Sequence, residues 1–368
     1  MSTRKDKFSK KDRVYMSLAL NLARSRFGLT GINPSVGCVI VKNDEIISIG
    51  RTGINGKPHA ETQAINSSYQ NVVNSKMYVT LEPCNHYGKT PPCTNLIIKK
   101  KIKEVFFSIN DIDKNVKGKT LKLLKSKKIL VKKGLLKNEV NDFYKSYFFN
   151  RNKKIPYVTG KIAVSNNNLI YSKNKKKITD KYSDQITHNL RYKNDSLLIT
   201  YKTLNVDNPK LNCRLKGLSK FSPIRIVLDN NLNMDTKSYI FKTATKKNTI
   251  IFYNQAKNSK INFFKKKGIK LIKSKLDSSK YFNLNIILKK LYKNGCRNLL
   301  VEGGDKLSSS FFKKKLFNQF YLYKSQKNLP KIVNYKVFNS FINLSQNYKN
   351  KLKIKTKLGK DTIFFYRR

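Results

Sequence analysis

The chain has 368 residues, and its 78 Lys and Arg residues against 21 Asp and Glu residues give a formal net charge of +57 at pH 7. With 39% hydrophobic and 11% aromatic residues it is too apolar for a disordered polycation, so we expect a folded protein of two domains. No run of about 18 apolar residues occurs, which excludes a transmembrane helix and predicts no membrane partner. No apolar signal-peptide core follows Met1, so we expect a cytoplasmic protein with five Cys in a reducing environment. Clustered Cys residues in such a protein indicate metal ligands rather than disulfides.

The positive charge is spread over nearly the whole chain, together with many Asn, Ile, Tyr and Phe residues. A nucleic-acid partner would favour a local patch of Lys and Arg, because these side chains neutralise phosphates one by one. The even distribution instead fits a compositional bias, and we expect no specific nucleic-acid partner. Small phosphorylated ligands are attracted in either case.

The first half of the chain alternates helical and extended patterns. Val14, Leu18 and Leu22 lie at helical spacing and predict a helix over 11–26, and Asn43-Asp44 predicts a hairpin turn between two strands. Further strands are predicted at 35–41, 45–49, 76–81, 104–109 and 129–131, and further helices at 59–66, 92–101 and 118–127. This succession predicts a sheet layered with helices.

The second half repeats this kind of alternation after a basic, polar stretch at 150–154 that precedes Pro156. Strands are predicted at 157–164, 196–200, 224–228, 249–252 and 298–301, and helices at 180–193, 284–294 and 305–315. We therefore predict a basic tail at 1–10, one domain at 11–152 and a second α/β domain at 153–368.

Potential metal ligands are concentrated in one region of the first domain. Two of the three His residues and two of the five Cys residues lie between 59 and 93, in Pro58-His59-Ala60-Glu61 and Glu82-Pro83-Cys84 to Pro92-Cys93. One imidazole and two thiolates leave a fourth tetrahedral position open for water, which is typical of catalytic zinc. Zinc lowers the pKa of such a water toward neutrality, and Glu61 is placed to shuttle protons.

This pattern is that of the zinc nucleobase deaminases, except that they carry a Cys-x-x-Cys pair and eight residues separate Cys84 from Cys93 here. The alternatives are a closed structural zinc site or unrelated free thiols. The other three cysteines, Cys38, Cys213 and Cys296, have no such neighbours, and we interpret them as ordinary core or surface residues.

Longer motifs resemble one enzyme family. Asn33-Pro34-Ser35-Val36-Gly37-Cys38, His59-Ala60-Glu61 and the whole block from Glu82 to Cys93 resemble the deaminase half of the bifunctional deaminase/reductase of riboflavin biosynthesis. The resemblance implies a cytidine-deaminase-like α/β/α domain with one zinc per chain at His59, Cys84 and Cys93, and Glu61 as the proton shuttle. It implies hydrolytic deamination of 2,5-diamino-6-(5-phosphoribosylamino)pyrimidin-4(3H)-one. The residues implied to line the deaminase site are Asn33, His86 and Lys89.

The second half resembles the reductase domain of the same family, which has a dihydrofolate-reductase-like α/β fold. The matching segments are 161–165, 188–191, 203–214, 223–229 and Val301-Glu302-Gly303-Gly304, in the expected order. The resemblance implies that NADPH reduces the ribosyl group of 5-amino-6-(5-phosphoribosylamino)uracil to ribityl. Implied contacts with NADPH are Ala163, Thr203, Asp207, Asn230, Gly304, Asp305, Lys306, Leu307, Ser308, Ser309 and Ser310, and implied contacts with the substrate are Arg191, Leu211, Arg214 and Glu302. The family also implies a homodimer or homotetramer.

Two other interpretations stay open at the level of the sequence. The first is a deaminase with a degenerate or repurposed second domain, because several family motifs are altered. Ser-Leu-Asp-Gly is replaced by Ser165-Asn166-Asn167-Asn168, Trp-Ile-Thr by Lys177-Ile178-Thr179, and a Gly-rich turn by Thr200-Tyr201-Lys202. The second is a nucleic-acid-binding or base-editing deaminase that exploits the charge of +57.

Overall fold

A computed structural model describes residues 7–88, 90–113, 116–171, 177–332, 335–354 and 359–368. The chain divides into two compact units, Met1–Lys153 and Lys154–Arg368. Within the described part of the chain, no helix has both the length and the apolar character needed to cross a membrane.

The first unit is built on a five-stranded sheet with the strand order β2-β1-β3-β4-β5, in which β3, β4 and β5 are parallel and β1 is antiparallel to both of its neighbours. Asn43 and Asp44 form the predicted turn between β1 and β2, both with positive φ. The elements are α1 (Lys10–Arg24), β1 (Gly37–Lys42), β2 (Glu45–Arg51), α2 (Ala60–Asn66), β3 (Lys76–Leu81), α3 (Cys93–Lys99), β4 (Glu104–Ile109), α4 (Lys119–Ser126), β5 (Leu130–Lys133) and α5 (Lys137–Lys153).

Helices cover both faces of this sheet, because neighbouring residues of each strand point to opposite sides. On β1, Val39 and Val41 pack in the core that α1 closes, whereas Cys38 and Ile40 pack in the core that contains residues of α2 and α3. The first unit is therefore an α/β/α sandwich, as predicted.

The second unit contains a nine-stranded sheet with the order β11-β10-β9-β8-β12-β6-β13-β16-β15, parallel from β11 to β13 and antiparallel beyond. A separate two-stranded sheet pairs β7 with β14. The elements are β6 (Tyr157–Val164), β7 (Leu169–Tyr171), α6 (Lys181–Lys193), β8 (Ser196–Thr200), α7 (Tyr201–Asp207), β9 (Ile224–Leu228), α8 (Tyr239–Lys242), β10 (Thr249–Tyr253), α9 (Asn258–Lys266), β11 (Lys270–Lys273), α10 (Leu284–Lys293), β12 (Asn298–Glu302), α11 (Asp305–Lys313), β13 (Gln319–Lys324), β14 (Lys336–Val337), α12 (Phe341–Asn347), β15 (Asn350–Ile354) and β16 (Thr362–Arg367).

Buried side chains again lie on both faces of the larger sheet. Leu197 and Ile199 of β8 belong to one core cluster, and Leu198 between them belongs to the other. The strands β8, β9, β10 and β12 are almost fully buried, as their continuous apolar sequences predict. The parallel arrangement places their carboxyl ends at one edge of the sheet, where ligand sites form.

Candidate active sites

Three short segments of the first unit bring the predicted zinc ligands together. His59 is the N-cap residue of α2, Cys84 lies in the loop that follows β3, and Cys93 is the first residue of α3. The loop is held to the helix by the backbone N–H of Thr94, which donates to the carbonyl of Cys84 at 3.1 Å. Pro92 supplies the fixed φ that is preferred beside a helix N-terminus.

The spacing of the three donor atoms fits a zinc ion. Nδ1 of His59 lies 3.3 Å from Sγ of Cys93 and 3.5 Å from Sγ of Cys84, and all three donor atoms lie within 4.8 Å of one another. Tetrahedral zinc with ordinary Zn–N and Zn–S bonds separates such N and S atoms by about 3.6 Å. The three residues therefore provide one nitrogen and two sulfur ligands at the required spacing, with room for a fourth ligand.

The electrostatics of this cluster favour a thiolate. Hydrogen bonds from Cys93 and His59 lower the pKa of Cys84 to about 4 even though burial opposes ionisation. The backbone N–H of Cys93, at the positive end of α3, also donates to Sγ of Cys84 at 3.3 Å. Burial, followed by the negative charge of Cys84, raises the pKa of the neighbouring Glu61 to about 7. The side chain of Glu61 is buried on the first turn of α2.

An open cavity adjoins this cluster, and we name it the first cavity. It measures about 1470 Å³ including its mouth, and His59, Glu61 and Cys84 lie in its wall. Two other predicted site residues also line it: Asn33, whose Nδ2 donates to the carbonyl of Gly56 at 3.2 Å, and His86. Lys89, the remaining predicted residue, lies outside the described residues.

The structure adds residues to the first cavity that the motifs do not reveal. Asp111 follows the carboxyl end of β4, and its carboxylate accepts a hydrogen bond of 3.1 Å from the hydroxyl of Tyr147. The guanidinium of Arg151 lies 5.3 Å from the centre of the Tyr147 ring. The position of Asp111 at the end of a parallel strand was the available signal. Tyr147 and Arg151 lie on α5, which the sequence does not predict.

A second cavity lies in the second unit, and seven of the predicted contact residues line it together with their neighbours. It measures about 810 Å³ including its mouth. Its predicted members are Ala163, Thr203, Asp207, Gly304, Arg191, Leu211 and Glu302, and its additional polar members are Lys161, Tyr171 and Lys336. The carboxyl ends of β6 and β12 and the start of α7 therefore converge on one space.

A buried ion pair forms part of the wall of the second cavity. Nε and Nη2 of Arg191 donate to the two carboxylate oxygens of Glu302 at 2.8 and 2.7 Å. The two side chains are only 11% and 14% exposed. Burial alone would raise the pKa of Glu302, but the charge and hydrogen bonds of Arg191 outweigh burial, so this pKa lies below its usual range. The ammonium group of Lys161 is nearby, and burial lowers its pKa.

The start of α11 fits a phosphate group. Gly303 and Gly304 line the second cavity, and no side chain caps the helix at Gly304. Among the described residues, the backbone N–H groups of Asp305, Lys306 and Leu307 have no acceptor. Free N–H groups at a helix N-terminus bind anions such as the phosphates of NADPH.

Other predicted contacts lie away from the lining of the second cavity. The carbonyl of Asn230 accepts hydrogen bonds from the N–H groups of Asn254 and Gln255. Arg214 donates from Nη1 to the side chain of Asn212 at 3.1 Å. The residues Asp305, Lys306, Leu307, Ser308, Ser309 and Ser310 form the first two turns of α11 behind Gly304.

At each altered motif, local contacts or backbone conformation accommodate the residue that replaces the family's residue. Asn168 stands where the family has Gly, and it adopts φ of 64°, a conformation that Asn tolerates better than most residues. Lys324 holds this loop by donating to the carbonyl of Asn166 at 2.8 Å and to the side chain of Asn168. Thr200 caps α7 by accepting from the N–H of Thr203, so no Gly is needed there. Lys177 pairs with Asp184 outside the second cavity.

Comparisons with known proteins divide the chain in the same way. Residues 9–109 match the cytidine and deoxycytidylate deaminase zinc-binding region, and residues 156–333 match the RibD C-terminal domain. The chain is 32% identical over 363 residues to the riboflavin biosynthesis protein RibD of Aquifex aeolicus, covering 97% of this chain and 98% of that protein.

Solved structures agree over the same length. The diaminohydroxyphosphoribosylaminopyrimidine deaminase/5-amino-6-(5-phosphoribosylamino)uracil reductase of Thermotoga maritima superimposes with a TM-score of 0.81 at 28% identity, covering 97% of this chain and 98% of that one. Acinetobacter baumannii RibD has the same fold, with a TM-score of 0.84 at 24% identity over 97% of this chain and 99% of that one. The predicted fold class, a deaminase domain followed by a reductase domain, is confirmed.

Proposed function

This chain belongs to the RibD family of riboflavin biosynthesis proteins, and on that premise we propose that it performs two reactions on one phosphoribosylaminopyrimidine. The first removes the exocyclic amine at C2 of 2,5-diamino-6-(5-phosphoribosylamino)pyrimidin-4(3H)-one as ammonia. The second reduces the ribosyl group of the resulting uracil to ribityl with NADPH. The observation that carries this proposal is the cluster of His59, Cys84 and Cys93, which opens into a cavity beside Glu61.

For deamination, His59, Cys84 and Cys93 would hold a zinc ion, which would supply a water molecule with a pKa near neutrality. Glu61 takes a proton as the water oxygen bonds to C2 and passes it to the ring nitrogen beside that carbon. Glu61 then takes the second proton, from the hydroxyl group now on C2, and gives it to the amine, so that the C–N bond breaks as the C2 carbonyl forms and ammonia leaves. Asn33 and His86 orient the pyrimidine, since both line the first cavity.

For reduction, bound NADPH would supply the hydride that C1′ of the ribose accepts, while the bond from C1′ to the ring oxygen opens and that oxygen gains a proton. Gly304 and the free N–H groups at the start of α11 bind phosphate, while Ala163, Thr203 and Asp207 contact the rest of the cofactor. Arg191, Leu211 and Glu302 contact the substrate in the same second cavity. The bidentate pair between Arg191 and Glu302 keeps both side chains in one orientation before the substrate arrives.

The comparisons support the two-enzyme interpretation rather than either alternative. A match to the RibD C-terminal domain over residues 156–333 covers the region that a deaminase alone would not need. The lysine-rich composition then requires no nucleic-acid partner. We assign deamination to residues 11–152 and reduction to residues 153–368, with residues 1–10 as a tail.

We further propose that the protein is cytoplasmic, because thiolate ligands to zinc persist in a reducing compartment. We also propose a homodimer or homotetramer, which analytical ultracentrifugation of the full chain would distinguish from a monomer.

The decisive experiment follows both reactions in one sample. Zinc-loaded protein is mixed with the diaminopyrimidine substrate and NADPH, and ammonia release and loss of NADPH absorbance are measured together. We expect both signals. Ammonia without NADPH oxidation would favour the deaminase with a degenerate second domain, and the absence of both would refute the proposed function.

A further inference from the structure

Beyond the residues that the family motifs identify, the C-terminal segment 335–340 contributes one residue, Lys336, to the wall of the second cavity. This segment follows the last residue of the match to the RibD C-terminal domain, which ends at residue 333. Its β14 pairs with β7, with Lys336 opposite Tyr171 and Val337 opposite Leu169. Both Lys336 and Tyr171 line the second cavity.

Several contacts fix this wall beside the start of α11. A carboxylate oxygen of Asp305 accepts hydrogen bonds from the N–H groups of Asn339 and Ser340 and from the Ser340 hydroxyl, at 3.0, 3.2 and 2.8 Å. Phe338 is buried in the core of the second unit, and its N–H donates to the carbonyl of Asn168 at 3.0 Å. The segment is therefore anchored immediately after its lining residue, Lys336.

The neighbouring strand β7 lies against the same turn. A Cβ atom placed on Gly304 would lie 3.9 Å from Cδ1 of Ile170, the residue before Tyr171. The β7–β14 sheet and the glycine turn thus face one space. Lys336 and Gly304 therefore border the same space.

The charges in the second cavity leave Lys336 as the accessible cation. Of the three cationic side chains in the wall, Arg191 is neutralised by Glu302, and Lys161 is half-buried with its ammonium group 4.7 Å from the centre of the Tyr323 ring. Lys336 is exposed, with its ammonium group 5.3 Å from the centre of the Tyr171 ring. Within the described part of the chain, no carboxylate forms an ion pair with Lys336.

We propose that Lys336, held in place by Asp305 and Tyr171, binds a phosphate group of a ligand in the second cavity. This inference rests on the proposed reductase function and adds a specificity residue to it. Two ligands carry the required chemistry: NADPH, through its 2′-phosphate or its pyrophosphate, and the substrate, through its ribose phosphate. A single ammonium contact to phosphate strengthens binding by about tenfold.

The test measures binding rather than turnover. NADPH, NADH and ribose 5-phosphate are titrated separately by calorimetry into the full-length protein, the Lys336→Ala and Lys336→Arg variants, and a Lys331→Ala control. Lys331 is also exposed, but it does not line the second cavity. We expect Lys336→Ala to weaken binding of at least one probe about tenfold, Lys336→Arg to restore most of the affinity, and Lys331→Ala to match the wild type.

The pattern of losses identifies the phosphate. Loss with NADPH alone assigns the 2′-phosphate, equal loss with NADPH and NADH assigns the pyrophosphate, and loss with ribose 5-phosphate alone assigns the substrate. Unchanged affinity for all three probes in Lys336→Ala, while the wild type binds NADPH and oxidises it, would overturn the role of Lys336 and leave the reductase assignment intact. A wild type that neither binds nor oxidises NADPH would instead contradict the reductase assignment itself.

Discussion

The ion pair between Arg191 and Glu302 allows a quantitative test of the second cavity. Glu302→Gln keeps the size of the side chain but removes its charge, which leaves the guanidinium of Arg191 uncompensated in a site that is only 11% to 14% exposed. Breaking a buried pair in this way costs about 3–5 kcal/mol of unfolding free energy. Because Gln retains one acceptor for Arg191, we expect the lower limit, about 3 kcal/mol.

The assay is chemical unfolding of the full-length protein for the wild type, Glu302→Gln, Arg191→Met and the double variant. The double variant removes both charges, so we expect it to be more stable than the sum of the single effects by about 2 kcal/mol. Glu139→Gln on the exposed face of α5 is the control, and it should change stability by less than about 0.5 kcal/mol. NADPH oxidation should fall in Glu302→Gln, whereas ammonia release should not change.

The pH dependence supplies an independent check. The pKa of Glu302 is lower in the folded protein than in the unfolded chain, because the attraction of Arg191 outweighs burial. Its stabilising contribution is therefore complete above the unfolded value of about 4.3 and is lost as pH falls through the lower folded value. The stability difference between wild type and Glu302→Gln should shrink in acid. Additive single effects, or a difference that grows as pH falls, would refute the reasoning.

The remaining predictions concern the first cavity and the altered motifs. Cys84→Ser should lower zinc content from about one ion per chain to a trace by elemental analysis, while Cys213→Ser should retain it; full zinc in Cys84→Ser would remove that residue from the ligand set. Glu61→Gln should keep its zinc but slow ammonia release by about 10²–10⁴-fold, and normal deamination would exclude Glu61 as the proton shuttle. Asn168→Ala should cost about 1–2 kcal/mol of stability because its φ is 64°, whereas Asn168→Gly should cost less; equal losses in thermal unfolding would mean that φ is not the cause.

The zinc ligands could be predicted from the sequence because each lies next to a strong local signal for a helix start or a strand. His59 and Cys93 begin helices that follow Pro58 and Pro92, and Cys84 follows a continuous apolar strand. The signals for these elements are local in the sequence, so the order of the segments along the chain was enough to predict that the ligands lie near one another. The spacing of the donor atoms needed the structure.

The helix α5 could not be predicted from the sequence, and the reason is physical. It spans 17 residues, but Val140 and Tyr144 are the only apolar residues on it that are fully buried, so its apolar periodicity is weak. Its last turn carries Arg151 at the mouth of the first cavity, within the basic stretch that the sequence marks as a domain boundary. The packing of Tyr144 against distant segments, through hydrogen bonds to Thr80 and Ser35, stabilises it.

Only part of the second cavity could be predicted from the sequence, because its wall includes residues that are far apart in the chain. Lys161 was not predicted as a site residue, although a charged residue within an apolar strand was an available signal. Lys336 gave no such signal, since it is one lysine among many in a polar segment. Its position depends on the pairing of β14 with β7, which only two register contacts define.

Lysine residues are abundant on the outer strands of the two larger sheets, and this position has a physical consequence. Three of the four outer strands carry a pair of them: Lys132 and Lys133 on β5, Lys270 and Lys273 on β11, and Lys351 and Lys353 on β15. An unpaired strand edge is a template for aggregation, and ammonium groups along it oppose the approach of another strand, because they would have to lose their hydration. The composition of this chain therefore protects its sheets from open-ended growth in a crowded cell.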